Sequence, residues 1–266
     1  MTSLLKGTAF ITGAASGIGQ HTARSFAKYG IQRLALADIN TKLLDSSIKS
    51  LQKQFPGIEV LPLQMNVRKA SEVKSGIAET VQRFGRLDVA VNNAGIGGTG
   101  VRTHEVDEEE WSTVLDVDLH GVWRCQKEEL AIMLEQQDFG YREGRGRIIN
   151  VASMYGVISP HMSIPATAYT AAKHGVIGLT RGDGNGYAQH GIRINAICPG
   201  FIETPLLNTS GGSDANSVLG KEVRKAPIQR IGKMEEIGDA ITFLASPLGS
   251  FMQSAALVAD GGFSTQ

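Results

Sequence analysis

The sequence lacks the residues that would mark a secreted, metal-binding or strongly charged protein. Among its 266 residues are only two cysteines, Cys125 and Cys198, and neither belongs to a Cys-x-x-Cys motif or stands near a histidine cluster. This argues against a disulfide framework and against a metal site. The 26 basic and 26 acidic residues cancel, so we expect neither nucleic acid nor a membrane surface as a partner.

Long hydrophobic runs are also missing. No run approaches the ~18 residues of a membrane-spanning helix, and the apolar stretch before Thr12 is too short for the hydrophobic region of a signal peptide. We therefore expect a protein of a reducing compartment, most simply the cytoplasm. Hydrophobic residues still make up 42% of the chain, which is enough for one sizeable core.

Apolar stretches of strand length alternate with longer stretches of helical period along the whole chain. The predicted strands are 8–12, 33–38, 59–65, 87–92, 147–151, 193–197 and 255–258. The predicted helices lie near 17–29, 41–54, 70–84, 108–136, 168–189 and 234–245. This alternation predicts an α/β fold, a Rossmann-type doubly wound parallel sheet of about seven strands, with residues 1–266 forming a single domain.

Residues 203–229 form a long connection after the sixth predicted strand. Connections longer than about 12–15 residues in a compact domain are usually lids or disordered segments. This one follows the carboxyl end of a strand, where ligands bind in doubly wound sheets. We predict that residues 203–229 are a substrate lid within the domain.

A glycine-rich turn joins the first predicted strand to the first helix. It reads Gly13-Ala-Ala-Ser16-Gly17-Ile18-Gly19. Glycines let the backbone approach a pyrophosphate, and the free N–H groups of the first helical turn hold its charge. Glycines also serve tight turns that bind nothing, but the position between strand and helix favours a dinucleotide site.

Asp38 ends the second predicted strand and is followed by Ile39. A carboxylate at this place can accept hydrogen bonds from the adenosine ribose. It would also repel a 2′-phosphate, and no Arg or Lys stands at positions 14–16 or 39–41. The sequence therefore predicts NAD rather than NADP as the cofactor. The alternative is that Asp38 only begins a turn.

Four further motifs complete a pattern that resembles the short-chain dehydrogenase/reductase family over essentially the whole chain. They are Asn92-Asn93-Ala94-Gly95, Ser153, Tyr169-Thr-Ala-Ala-Lys173 and Pro199-Gly200. The cofactor contacts that the resemblance implies are Asn66 and Val67 at the adenine, Asn93, Ala94 and Gly95 beside the sheet, and Pro199, Gly200, Ile202 and Thr204 on the nicotinamide side.

Tyr169 and Lys173 are spaced by one helical turn and so share a face. A phenol with a pKa near ~10 is a poor base at neutral pH unless a cation stabilises the phenolate. An exposed pair without function is the alternative. The resemblance implies that Tyr169 transfers the proton, that Lys173 assists it and binds the ribose hydroxyls, and that Ser153 donates a hydrogen bond to the substrate oxygen.

The sequence departs from the family at Asp118, where an Asn is usual. The resemblance implies that this residue lies at a distortion in a long helix, where its main-chain carbonyl holds a water leading to Lys173. Asp118 is thus a further catalytic candidate, and the alternative is a structural helix residue. Its carboxylate would oppose formation of the Tyr169 phenolate unless Lys173 neutralises it directly.

Uncharged side chains dominate the segments around Ser153 and Tyr169. They are Met154, Tyr155, Val157, Met162 and Ile164, together with Ile96, Phe201, Leu206 and Leu207. They predict a neutral, hydrophobic substrate, such as a cyclic polyketide-derived, terpenoid or steroid-like secondary alcohol or ketone. The predicted function is hydride transfer between NAD(H) and that substrate. A non-redox lyase, isomerase or cyclase on the same fold, and a nucleotide-sensing protein without turnover, remain alternatives.

Three glycines, Gly182, Gly184 and Gly186, fall in the predicted helix that carries Tyr169 and Lys173. Each costs about 1 kcal/mol in a helix interior, so either the helix is weak there or it is closely approached by a neighbouring helix. In the family that the sequence resembles, this helix packs against a partner subunit. A homo-oligomer, a tetramer or a dimer, is therefore expected.

Overall fold

The computed structural model describes residues 3–209 and 217–265. Seven strands form one sheet: β1 Thr8–Thr12, β2 Arg33–Asp38, β3 Glu59–Gln64, β4 Val89–Asn92, β5 Gly146–Val151, β6 Ile192–Pro199 and β7 Ala256–Ala259. Their order is β3-β2-β1-β4-β5-β6-β7, and all neighbouring pairs are parallel. This confirms the predicted doubly wound sheet. The order reverses between β1 and β4, which is where such sheets open a ligand-binding crevice.

Helices cover both faces of the sheet. They are α1 Gly17–Lys28, α2 Thr41–Gln54, α3 Ala70–Phe84, α4 Glu108–Leu115, α5 Gly121–Glu135, α6 Thr167–Tyr187, α7 Pro205–Thr209, α8 Val218–Val223 and α9 Met234–Ala245. Short 3₁₀ turns lie at Thr103–Glu105, Met154–Gly156, Ala188–His190, Pro247–Gly249 and Phe263–Thr265. In the described ranges no helix is long and apolar enough to cross a bilayer.

The core consists of two main layers, one on each face of the sheet. Ile11 packs on the side of α1, α2 and α9, whereas its neighbour Phe10 packs on the side of α3 and α5. Successive strand residues point to opposite faces, so an entirely apolar strand fills both layers. This is why β1, which is buried along its whole length, has three consecutive apolar residues between its terminal threonines.

The predicted element boundaries differ from the structure in a few places. The predicted fourth strand starts too early, because the N–H of Leu87 donates to the side chain of Gln136 and not to a neighbouring strand. The sixth strand extends to Pro199, beyond the predicted end at residue 197. The helix predicted over 108–136 is interrupted by a π-helical turn at Asp116–His120, which separates α4 from α5.

The predicted lid contains two short helices, α7 and α8. Residues 210–216 of this segment lie outside the described residues. The helix α6 runs without a break through Gly182, Gly184 and Gly186. A side chain at Gly184 would collide with Ser254, so the close approach there comes from the loop before β7 and not from a neighbouring helix.

Candidate active site

The glycine turn after β1 has a backbone that only glycine can adopt without strain. Gly13 has a φ of +64°, and a Cβ atom there would lie 2.9 Å from Cα of Ala94. A Cβ atom at Gly19 would collide with the carbonyl oxygen of Gly13. The first turn of α1, which begins at Gly17 and includes Ile18, contains no acidic residue. The Ser16 side chain makes no capping hydrogen bond to it, so this helix end suits an anionic group.

Asn93 fixes the turn to the end of β4. Its Nδ2 atom donates to the carbonyl oxygens of Thr12 and Gly13 at 3.0 and 3.1 Å. In return, Thr12 Oγ1 accepts from the N–H groups of Asn93 and Ala94, each at 3.0 Å. Thr12 is a positioning residue that the sequence analysis missed, although its place directly before the first glycine was the available signal. Together these bonds hold the two strand ends of the crevice in one geometry.

The carboxylate of Asp38 lies against the glycine turn. One oxygen accepts from the N–H of Ala15 at 3.0 Å, and the other accepts from the N–H of Asn40 at 2.9 Å. The bond from Asn40 is typical of an Asp that begins a turn, which was the alternative interpretation of Asp38. The bond from Ala15 orients the carboxylate toward the dinucleotide crevice. Each oxygen keeps a further lone pair for a hydroxyl group. Next to it, Ile39 is 65% exposed.

The segment after β3 carries the residues expected at the adenine. Asn66 donates from its N–H to Glu72 and accepts from the N–H of Arg68, which fixes its side chain. Val67 is buried and packs closely on Gly121 at the start of α5. The cation of Arg68 is already paired with Asp116, at 3.1 Å.

Ser153, Tyr169 and Lys173 lie together at the carboxyl end of β5. Ser153 caps the 3₁₀ turn Met154–Gly156, and its Oγ accepts from the N–H of Tyr155 at 3.1 Å. Tyr169 lies in the first turn of α6 and Lys173 one turn later. The Lys173 Nζ atom lies 5.4 Å from the centre of the Tyr169 ring. The same ammonium donates to the carbonyl of Val151 at 3.1 Å.

Asp118 lies in the π-helical turn and is fully buried. Its Oδ1 atom accepts from the N–H of Ile96 at 2.8 Å, and its Oδ2 atom lies 3.2 Å from Nζ of Lys173. The side chain therefore forms an ion pair with Lys173 and is not a remote helix residue. A Cβ atom at Gly95 would lie 3.2 Å from Asp118 Oδ2, so the Asn-Asn-Ala-Gly segment closes over this pair.

Burial and charge act together on the pKa values of the three ionisable groups. Burial raises the pKa of Tyr169 above its ordinary value, and the Asp118 carboxylate adds to this effect, while the Lys173 ammonium and Ser153 oppose it. Burial also raises the pKa of Asp118 against the attraction of Lys173. For Lys173, burial lowers the pKa, but Asp118 and Tyr169 outweigh it, so the pKa lies above the ordinary value and the ammonium stays charged.

The segment that follows β6 lies over the glycine turn. A Cβ atom at Gly17 would lie 3.8 Å from Pro205 and 3.9 Å from Thr204. Thr204 Oγ1 accepts from the N–H of Leu207 and so begins α7. The segment packs closely on Asp260 at Gly200, where a side chain would collide with it. An isolated β-bridge joins Ile202 to Gly232. Pro199 is the last residue of β6.

An apolar cluster lies beside Tyr169 and joins the lid to the loop after Ser153. Its buried members are Met154, Tyr155, Phe201, Leu219 and Val223, and its partly buried members are Ile158, Ile164, Tyr169, Leu207, Ile231 and Phe263. Of the predicted apolar wall, Met162 is 89% exposed, and Val157 and Leu206 are also exposed. Leu219 and Val223 of α8 were missed, although their spacing of one helical turn within the lid was a usable signal.

The described residues contain no group of three or more His, Cys, Asp or Glu side chains arranged to hold a metal ion. The glycine turn, by contrast, forms a cradle that a Cβ atom would fill, beside a helix end without acidic residues. These residues fit a dinucleotide cofactor.

Known proteins resemble this chain over nearly its whole length. A family model described as Enoyl-(Acyl carrier protein) reductase matches residues 13–264. The 3-oxoacyl-(acyl-carrier-protein) reductase FabG of Thermotoga maritima is 36% identical over 252 residues, which cover 95% of each chain. The short-chain dehydrogenase/reductase aba4 of Botryotinia fuckeliana is 34% identical, again over 95% of each chain. The crystal structure of levodione reductase is 33% identical, with a TM-score of 0.89 over 97% of this chain and 98% of that one.

The chain belongs to the short-chain dehydrogenase/reductase family. Members of this family are oxidoreductases that use nicotinamide cofactors and act on small molecules. The class of enzyme expected from the sequence is thereby confirmed.

Proposed function

We propose that the protein transfers a hydride between NAD(H) and a secondary alcohol or ketone. The observation that carries this proposal is the convergence of Ser153, Tyr169 and Lys173 at the strand end next to the glycine turn. The nicotinamide cofactor, when bound, supplies or accepts the hydride. The oxidoreductase class of the relatives favours hydride transfer over a non-redox lyase, isomerase or cyclase reaction.

In this proposal Tyr169 is the proton-transfer residue. Its hydroxyl gives a proton to the substrate oxygen during reduction and takes it back during oxidation. Ser153 Oγ donates a hydrogen bond to the same oxygen, and the charged Lys173 stabilises the phenolate form of Tyr169. Asp118 is a positioning residue, because it holds the Lys173 ammonium and the N–H of Ile96 at once. A nucleotide-sensing protein would have no use for a buried lysine beside a tyrosine.

NAD is the proposed cofactor rather than NADP. Support comes from the Asp38 carboxylate, which lies against the glycine turn through Ala15 and would repel a 2′-phosphate. Two cations after β3 are already paired, Arg68 with Asp116 and Lys69 with Glu72 at 2.8 Å. The remaining cofactor contacts proposed from the family pattern are those at Asn66, Val67, Asn93, Ala94, Gly95, Pro199, Gly200, Ile202 and Thr204.

The proposed substrate is a neutral, apolar and cyclic alcohol or ketone, covered by residues 203–229 acting as a lid. Support comes from the apolar cluster beside Tyr169, to which α8 contributes two side chains. A screen of cyclic secondary alcohols with NAD, followed by NADH absorbance, tests the proposal. We expect turnover of at least one class of cyclic alcohol. The proposal would be rejected if the absorbance changed neither with any alcohol and NAD nor with any ketone and NADH.

A homo-oligomer, a tetramer or a dimer, is also proposed. On α5, Trp123 is half-exposed, and on α6, side chains at Gly182 and Gly186 would meet nothing within 4 Å in the described part of the chain. Small residues on such a face permit close helix approach. Light scattering during gel filtration gives the mass that decides between the two assemblies. A cytoplasmic location stays a prediction.

A further inference from the structure

Tyr155 lies two residues after Ser153, in the wall of the proposed substrate site. Its side chain is held by other aromatic rings, because it meets Phe201 edge to face, with ring centres 6.3 Å apart, and Phe201 meets Phe263 in the same manner at 5.2 Å. Only 8% of Tyr155 is exposed. The ring position is therefore fixed by packing and does not depend on its hydroxyl group.

The hydroxyl of Tyr155 has no hydrogen-bond partner among the described residues, although the oxygen is inaccessible to solvent. A buried hydroxyl without a partner destabilises the folded state. Native proteins retain few such groups, and each calls for an explanation such as a ligand. Phenylalanine would pack equally well at this place, so the hydroxyl has no role in folding.

The lid brings a second polar group to the same region. Glu222 on α8 is buried, with its carboxylate 2.6 Å from Nζ of Lys225 and 3.5 Å from Nδ1 of His161. Burial, with contributions from Glu222 and Tyr169, raises the pKa of Tyr155. The lid carboxylate and the proposed catalytic tyrosine thus both act on the Tyr155 hydroxyl, which keeps its proton and can donate a hydrogen bond.

We propose that Tyr155 binds a second oxygen of the substrate, so that the preferred substrate carries an uncharged carbonyl or hydroxyl group in addition to the carbon that reacts. This rests on the proposed function. The oxygen is uncharged because Glu222 already engages Lys225 and His161, which leaves no unopposed cation to hold a carboxylate. The substrate reaches Tyr155 when α8 moves aside, since Leu219 and Val223 of α8 pack in the same cluster as Tyr155.

A site of this kind discriminates strongly. A pocket built to hydrogen-bond a substrate group rejects the analogue that lacks it, because the buried polar group is then left without a partner. The expected substrate is therefore a cyclic diketone or hydroxyketone and not a simple cyclic ketone. Tyr155 would be a specificity-determining residue, distinct from the proton transfer assigned to Tyr169.

The test compares kcat/KM for cyclohexanone with kcat/KM for cyclohexanones that carry a second carbonyl or hydroxyl at each ring position. The ratio of the two values cancels general effects of a substitution on catalysis. In Tyr155→Phe the preference for the best doubly oxygenated ketone should fall by at least about tenfold. Tyr141→Phe, which removes the same atom from an exposed tyrosine, should leave the ratio unchanged. An equal ratio in the wild type and Tyr155→Phe would overturn the inference.

A binding measurement separates this inference from the proposed function. With oxidised NAD present a ketone is not reduced, and calorimetry gives the Kd of cyclohexanone and of the diketones, which carry no alcohol to be oxidised. If the doubly oxygenated ketone binds at least about tenfold more weakly to Tyr155→Phe than to the wild type, the inference is supported. This holds even where no turnover is found, because the absence of turnover would reject only the proposed function. Unchanged Kd values would reject the inference alone. The melting temperature of Tyr155→Phe should equal or exceed that of the wild type, because a hydroxyl without a partner is removed.

Discussion

The Lys173 ammonium lies 3.2 Å from Oδ2 of Asp118, and both side chains are buried. The family pattern has a neutral Asn at the position of Asp118, so this chain adds a negative charge beside its proposed catalytic lysine. The ion pair keeps Lys173 protonated and weakens the positive field that Lys173 exerts on Tyr169. The carboxylate still opposes formation of the Tyr169 phenolate, while its partner Lys173 favours it.

Replacing Asp118 by Asn should move the pH dependence of alcohol oxidation. The carboxylate raises the pKa of Tyr169, so its removal lowers that pKa and shifts the acidic limb of kcat/KM to lower pH. At an effective dielectric near ~20, a carboxylate about 10 Å away shifts the pKa by roughly one unit. Asn keeps an acceptor for the N–H of Ile96, whereas Asp118→Ala loses it and should also lose activity.

Asp116 provides the matched control for that shift. It lies in the same π-helical turn, but its carboxylate pairs with Arg124 and Arg68. Asp116→Asn should leave the limb where it is in the wild type. An unmoved limb in Asp118→Asn, measured with one alcohol and saturating NAD, would mean that the Asp118 charge does not reach Tyr169.

Cofactor preference should depend on Asp38. The double change Asp38→Ala and Ile39→Arg removes the charge that repels a 2′-phosphate and adds a guanidinium that can bind it. The ratio of kcat/KM for NADP to that for NAD is expected to rise by at least about tenfold. A wild-type enzyme that already prefers NADP would contradict the account of Asp38.

The cofactor cradle should not tolerate a side chain at Gly19. Gly19→Ala places a methyl group against the carbonyl oxygen of Gly13, and the turn must shift to admit it. NADH affinity, followed by fluorescence titration, should fall by at least about tenfold. Gly57→Ala is the control, because a Cβ atom there would meet nothing within 4 Å among the described residues. Equal affinity in both variants would place the cofactor elsewhere.

Glu129 should make the stability of the protein depend on pH. It is fully buried, and burial raises its pKa to about 8 against a hydrogen bond from Asn92. The unfolded chain ionises near the ordinary value of ~4.3, so between that value and about 8 the free energy of unfolding falls as pH rises, by up to ~1.4 kcal/mol per unit. Below that window the penalty is absent, because Glu129 is protonated in both states.

Glu129→Gln should therefore gain stability relative to the wild type as pH rises from 6 to 9, measured by urea unfolding. Gln has the same shape and cannot ionise. The neighbouring Glu128→Gln serves as the control, because Glu128 lies closer to solvent. Parallel stability curves for wild type and Glu129→Gln would show that Glu129 does not ionise in this range.

Much of the fold could be predicted from the sequence, because buried parallel strands read as apolar runs and the helices between them keep their period. The π-helical turn at Asp116–His120 leaves no such mark in the hydrophobic pattern, since its residues continue the helical pattern on either side, and only the family resemblance implied a distortion at Asp118. The ion pair of Asp118 with Lys173 could be named from the sequence only as a possibility, because it joins residues of different helices that meet only through packing. The same holds for the packing of α8 near Tyr155, which brings Leu219 and Val223 into one cluster with it.

In the proposed reaction the proton transfer depends on the hydroxyl of Tyr169. Tyr169→Phe removes that group and keeps the ring, so the turnover number for the best alcohol found in the NAD screen is the decisive measurement. Loss of the acid–base group should lower kcat by roughly 10²–10⁴-fold while the Kd for NADH stays within a few-fold of the wild-type value. A decrease of less than about tenfold, with NADH binding intact, would contradict the account and assign the proton transfer to another residue.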